Sequence, residues 1–360
     1  MAEMKIRICA VGDIMLGEHP LCINFGVKSS IDRNGFNYLI SEIIPTLQNS
    51  DFTIGNLETP FIKDPKKRIN NYFYSESKNV STLKENNFNL LSIANNHIME
   101  QGKEGFHDTI TALQNYNITP LGLKNQKYII KKNGLNLAFL AYSLIEDFKD
   151  DGLYNKLNSY SQIITDIHEI RPNSDIVIIL LHWGDEYVPK PSLSQIEMGR
   201  RIINEGADII IGSHPHVLQG YEEYNDKLII YSLGNFIFDM KYIKKTLNSA
   251  VALIEIDEEC NISLKFLPIT CNPNDFSLKI ANGKEYTQIS DSLYKISKFL
   301  SNNFFDSKKY QNNYEKNKNK SAFFAKLSMI FHFIKNYTKY PSINRNQIII
   351  NFLKKNRCRK

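Results

Sequence analysis

His214-Pro215-His216 sets two imidazoles two positions apart around a residue whose φ is fixed. Proline also disfavours helix at the residue before it, so the segment reads as extended, with both rings on one side. Imidazoles presented this way suit a divalent ion such as Zn, Mn or Fe. The motif equally fits two hydrogen-bonded loop histidines, and its surroundings must decide. Five more residues of ligand or acid–base type share its placement: Asp13, Glu58, Asn96, His97 and His182. Each follows an apolar run that reads as a strand, over residues 6–11, 51–57, 90–94 and 175–181, with 208–211 preceding the two histidines. Taken singly, each has an ordinary explanation. A lone His at a strand end is commonly structural, Asp13 could cap a loop, Glu58 could make a surface ion pair, and Asn favours turns. Seven such residues after five successive strands form a pattern, because α/β folds collect their sites where rigid strands end.

The elements that must position these groups are legible as apolar runs alternating with helical stretches. Residues 128–143 hold two strands around Asn133-Gly134, a hairpin signal. Residues 228–232, 250–256 and 262–269 read as further strands. Helices are expected over 105–116, 159–169 and 194–205, the last with Ser194 and Glu197 as a capping box and Gly206 as its stop. Strands buried on both faces, together with hairpins, predict a layered α/β domain with a mixed sheet or two packed sheets. Its expected span is 4–275. Residues 276–360 form a basic, partly helical extension, in which 302–320 reads as an Asn- and Lys-rich linker, 322–334 as an apolar helix and 343–355 as a final helix. Such helices either cap the domain or form a basic amphipathic element for an anionic membrane surface or an acidic partner.

Charge is unevenly distributed. The chain carries +6 overall, yet residues 308–360 hold 14 Lys or Arg against one acid, Glu315, which leaves the first 307 residues at −7. A mildly acidic body argues against a nucleic-acid partner. The five cysteines are odd in number and lack C-x-x-C spacing, as expected of reduced thiols. With no signal-peptide pattern and no uninterrupted apolar span, the expected location is cytoplasmic, with peripheral membrane contact through the basic tail.

Six ordered motifs carry a resemblance. Gly12-Asp13-Ile14-Met15-Leu16-Gly17, Asn56-Leu57-Glu58, Ala94-Asn95-Asn96-His97, His182-Trp183-Gly184-Asp185-Glu186-Tyr187, Gly212-Ser213-His214-Pro215-His216-Val217 and Tyr231-Ser232-Leu233-Gly234-Asn235-Phe236 resemble the motifs of the CapA proteins. That family is associated with poly-γ-glutamate and capsule synthesis and is similar to the calcineurin-like metallophosphoesterases. The resemblance covers about residues 6–257. It implies a four-layer α/β/β/α sandwich holding two divalent metal ions (Mn, Zn or Fe). Asp13 would be the first-motif carboxylate, Glu58 the bridging carboxylate and Asn96 the Asn ligand. His182 and His214 would complete one metal and His216 the other, with His97 as the catalytic proton donor to the leaving group. Asp185, Glu186 and Asn235 are expected to line the pocket, and Gly212 and Gly234 to make tight turns. The implied activity is a metal-dependent hydrolase or transferase acting on an anionic polymer, phosphoester or γ-glutamyl substrate. The alternative is a non-catalytic accessory subunit of a membrane polymer-synthesis complex. Two departures stand out. Met15 replaces the His of an Asp-x-His motif, and Glu100 stands where Asp is common.

Overall fold

In the strand Ile6–Ile14, Ile8 and Ala10 face one way while Cys9 and Val11 face the other, and all four are buried. That two-sided burial repeats in Phe52–Leu57 and Ile176–His182, whose every residue is buried. Two sheets follow from it in the computed structural model, which describes residues 5–147, 149–300, 306–342, 344–346 and 348–349. The first sheet has the order Leu278–Ile280, Ile262–Cys271, Asn248–Ile256, Ile6–Ile14, Phe52–Leu57, Phe88–Ser92 and Thr119–Leu121, with Asn235–Ile237 also paired to Ile6–Ile14. The second runs Tyr221–Tyr224, Lys227–Ile230, Ile209–Ser213, Ile176–His182, Leu135–Ser143 and Tyr128–Lys132. Both have parallel centres, from Ile6–Ile14 through Phe88–Ser92 and from Leu135–Ser143 through Lys227–Ile230.

Ile8, Ala10, Ile54 and Leu90 of the first sheet meet Phe139, Ile178, Ile211 and Ile230 of the second in one apolar layer. The outer face of the first sheet is covered by the helices Val27–Asn34, Val80–Glu85 and Gly102–Asn115, through residues such as Ile31, Leu83 and Phe106. That of the second is covered by Ser161–Ile170, Leu193–Asn204 and Gly283–Leu300, through Ile167, Ile202 and Ile296. The result is a four-layer α/β/β/α sandwich. The strand Leu278–Ile280 carries the first sheet past the expected boundary at 275. Among the described residues four cysteines are free, three of them buried.

Three local expectations are corrected. Residues 307–320 are not a linker: Ser307–Lys335 is one 29-residue helix, capped by Asp306, whose side chain accepts from the Lys309 amide. Tertiary contacts outweigh the weak propensity of its asparagines. The Tyr310 hydroxyl donates to the Pro191 carbonyl at 2.6 Å, and Ala325 and Met329 pack in an apolar cluster with Met15. The capping box of Leu193–Asn204 uses Ser192 and Gln195, because the helix starts one residue earlier than expected and moves the cap upstream. Gly212 lies within a strand rather than in a turn, and a Cβ there would stand 2.0 Å from the Tyr231 carbonyl oxygen, so close approach is what requires it. Gly234, with φ of 73°, takes the left-handed backbone conformation that favours glycine. The expected helix 343–355 falls largely outside the described residues. No helix among those described is long and apolar enough to cross a membrane.

The cap makes a direct test. Ser192→Ala should lower unfolding free energy by about 1 kcal/mol in denaturant titrations, whereas Glu197→Ala at an exposed position should change it far less. Equal effects would return the cap to residues 194–197.

Candidate metal centre

Strand register assembles the site. Asp13 lies opposite Asn56 on one neighbouring strand and Asn235 on the other, while His182 lies opposite Ser213. The first sheet thus contributes Asp13, Glu58, Asn96 and His97. The second sheet supplies His182 and, just past its next strand, His214 and His216. The segment carrying the last two is not extended. His214 has φ of 96° and His216 of 57°, conformations that non-glycine residues adopt only where their surroundings impose them. The ring centroids of His214 lie 4.7 Å from those of His182 and 5.8 Å from those of His216. A tight turn, not strand alternation, brings these rings together.

Asp13 is wholly buried and sits at the centre. Its Oδ1 accepts from Asn56 Nδ2 at 2.8 Å, and its Oδ2 lies 3.1 Å from His216 Nδ1. His216 Nδ1 also lies 2.9 Å from Asn235 Oδ1, so Asn235 stands behind the imidazole and orients it. Burial disfavours charge on both members of the Asp13–His216 pair. Their hydrogen bond and attraction outweigh it, holding the Asp13 carboxyl below its ordinary value and His216 above. Burial, reinforced by the Asp13 charge, pushes Glu58 well above the usual carboxylate range. Burial also holds His182 well below the usual imidazole value and His214 down to about 4, so both rings are neutral donors at pH 7.

Candidate ligand atoms fall into two triads, each within 4.8 Å: Asp13, Glu58 and His182, and Glu186, His214 and His216. The grouping differs from expectation. His214 shares a triad with His216, and Glu186 supplies a carboxylate instead of merely lining a pocket. Met15 lies in the apolar cluster with Phe73, Tyr187 and Phe238. Asn96 Oδ1 is 2.8 Å from His182 Nε2. Asp185 turns to the C-terminal helix, accepting from the Tyr314 hydroxyl at 2.7 Å and pairing with Lys318 at 2.8 Å.

His97 lies 4.0 Å from Glu58 Oε2, stacked on Phe73 with centroids 4.2 Å apart, and its Nδ1 is 3.4 Å from Glu100 Oε1. Glu100 is paired in turn with Lys149.

A test of fit comes from unmade hydrogen bonds. Among the described residues, five buried side-chain N or O atoms have no hydrogen-bond partner, and three are here: Glu58 Oε2, His214 Nδ1 and His216 Nε2. Each such atom costs about 1–3 kcal/mol, so three at one place imply a bound group that satisfies them. Nitrogen and carboxylate donors in this set fit Mn, Zn or Fe.

Sequence reasoning passed over Asn56, whose amide donates at 2.8 Å to both Asp13 Oδ1 and Glu58 Oε1 and so holds two buried carboxylates together. Its position two residues before Glu58, at the end of the strand that Glu58 follows, was the available signal. Tyr187 was also unassigned. Its amide donates to the Pro215 carbonyl at 2.8 Å, and its ring stacks 6.3 Å from that of His216.

Two packed sheets with histidines, an asparagine and carboxylates at one end define an α/β/β/α sandwich with a candidate metal centre. The chain belongs to the family described as bacterial capsule synthesis protein PGA_cap, which matches residues 7–240. It is 31% identical over 313 residues to "Capsule biosynthesis protein CapA" of Bacillus anthracis, covering 81% of this chain and 74% of that one. To "PGA biosynthesis protein CapA" of Bacillus subtilis (strain 168) it is 33% identical over 278 residues, 72% of this chain and 70% of that one. Among solved structures, NAD nucleotidase of Haemophilus influenzae aligns with a TM-score of 0.46 and 12% identity, over 89% of this chain and 61% of that one. A putative 5'-nucleotidase from Staphylococcus aureus aligns with 0.47 and 14%, over 81% and 58%. The chain thus spans about three fifths of each of these two longer proteins.

Asn56→Ala should destabilise the protein by about 2–3 kcal/mol in metal-free denaturant titrations, since it leaves two buried carboxylates without their shared donor. A change within experimental error would remove Asn56 from the site.

Proposed function

We propose that this protein is a dinuclear metal-dependent hydrolase or transferase that acts in poly-γ-glutamate, capsule or cell-envelope polymer synthesis. The observation that carries the reading is the pair of ligand triads with three unsatisfied buried donor atoms between them. Family membership, and the names of the two Bacillus relatives, support the polymer context. Asp13, Glu58 and His182, with Asn96 beside them, would hold one divalent ion, and Glu186, His214 and His216 the other. Bound there, two such ions supply Lewis-acid activation and a hydroxide at neutral pH.

The chain's own residues do the rest. Asn56 and Asn235 fix the orientations of Asp13, Glu58 and His216. His97, held between Phe73 and Glu100 at the edge of the first triad, is placed to protonate a departing oxygen or nitrogen. Met15 and Phe73 close the site with apolar surface. The bond broken is a phosphoester or a γ-glutamyl amide.

Elemental analysis of protein loaded with Mn, Zn or Fe should find about two ions per chain, and His214→Ala with His216→Ala should leave about one. His97→Ala should keep the metal while losing about 10²–10⁴ in turnover on a phosphoester or γ-glutamyl model compound. Failure of the wild-type chain to bind any of these metals sinks the reading.

A second reading, an accessory subunit at a membrane polymer-synthesis complex, is favoured by the outer face of the C-terminal helix. Phe323, Phe331 and Ile334 are 60–69% exposed on one face, with Lys326 and Lys335 beside them. An apolar stripe with a basic rim suits an anionic lipid surface. The protein should pellet with phosphatidylglycerol vesicles but not with phosphatidylcholine, and Phe331→Ser with Ile334→Ser should abolish pelleting. Equal pelleting of that variant would discard the membrane contact.

A further inference from the structure

The C-terminal helix builds a feature that the family match, ending at residue 240, does not contain. Between this helix, the loop after Ile176–His182 and the short turn Lys244–Leu247 lies a groove of about 850 Å³. Five lysines line it: Lys190 from the loop, Lys244 and Lys245 from the turn, and Lys309 and Lys320 from the helix. All five are exposed, and none forms an ion pair with a described acid. One carboxylate, Asp306, shares the lining, and it is engaged in capping the helix. A cleft walled by one sign of charge concentrates counter-ions and raises their capture rate.

Spacing decides what kind of anion fits. Lys309 and Lys320 are eleven residues apart on one helix, which separates them by about 16 Å along its axis. No single phosphate or amino acid reaches both. Ile243, Phe324 and Ala325 give the lining apolar surface beside Asn313 and Asn317, and Lys190 lies over the Phe299 ring at 5.4 Å. The lysines are single point charges rather than the planar forks that select phosphate bidentately. At the groove's inner end Tyr187 contributes to its lining while stacking on His216, so a single ring separates the groove from the candidate metal centre.

We infer that this groove binds a linear polycarboxylate, a chain whose negative charges are joined by apolar links, and leads it toward the metal centre. The inference deepens the polymer-directed function proposed above and rests on it. Lysine ammoniums meet the carboxylates while the aromatic and aliphatic lining covers the methylenes between them. The C-terminal helix supplies two of the five charges, which makes this extension part of the substrate-binding surface.

The test is fluorescence anisotropy of the full chain with labelled oligomeric poly-γ-glutamate, alongside polyphosphate, oligo-dT and free glutamate as competitors. Wild type should bind poly-γ-glutamate in a salt-sensitive manner, and free glutamate should not compete. Lys244→Glu with Lys245→Glu and Lys320→Glu, all exposed, should weaken binding at least about tenfold with an unchanged melting temperature. Unchanged affinity in that variant overturns the inference, as does equal or tighter binding of polyphosphate or oligo-dT. Metal content is measured on the same samples. Full metal loading without polymer binding removes the groove alone, whereas polymer binding without metal removes the catalytic reading and leaves the groove.

Discussion

One buried carboxylate, Asp13, couples the two sheets at their functional end. It belongs to the first sheet, yet its partners include His216, which follows a strand of the second. An ionised carboxylate can be wholly buried only when hydrogen-bonded and paired, and Asn56 and His216 meet both conditions. The apolar layer between the sheets brings the partners within range but is non-directional. Asp13 gives that packing a fixed alignment at the one place where alignment matters chemically.

What the sequence made legible was the placement of polar residues after apolar runs. Strand periodicity is local, so the runs preceding Asp13, Glu58, Asn96, His182 and His214 could be read without a partner in view. Their mutual arrangement could not. Asn56 gains its role only because strand register sets it opposite Asp13, and Asn235 because it lies on the other flank. The positive φ angles of His214 and His216 are imposed by tertiary contacts that proline's local preference does not encode. The sequence pattern puts the capping box at Ser194 and Glu197, and the observed helix start places it at Ser192 and Gln195. The second half of the helix Ser307–Lys335 was legible as an apolar run, and its first half was hidden by asparagines whose low propensity is offset by the buried Tyr310 and Tyr314.

Met15 and Glu186 take different parts at the candidate site. The methionine serves packing, joining Phe73 and Phe238 in an apolar wall. The Glu186 carboxylate, on the loop after His182 of the opposite sheet, lies within 4.8 Å of the ring nitrogens of His214 and His216. The candidate triad of Glu186, His214 and His216 therefore depends for its geometry on how that loop is held.

The loop is held by the C-terminal helix. Asp185 is bonded to Tyr314 and Lys318, and its immediate neighbour in sequence is Glu186. Thermodynamic reciprocity then applies. Any coupling between engagement of Glu186 and seating of the helix must be equal in both directions. A surface competing for the outer face of that helix would therefore bear on the loop that carries Glu186, through the bonds at Asp185 and Pro191.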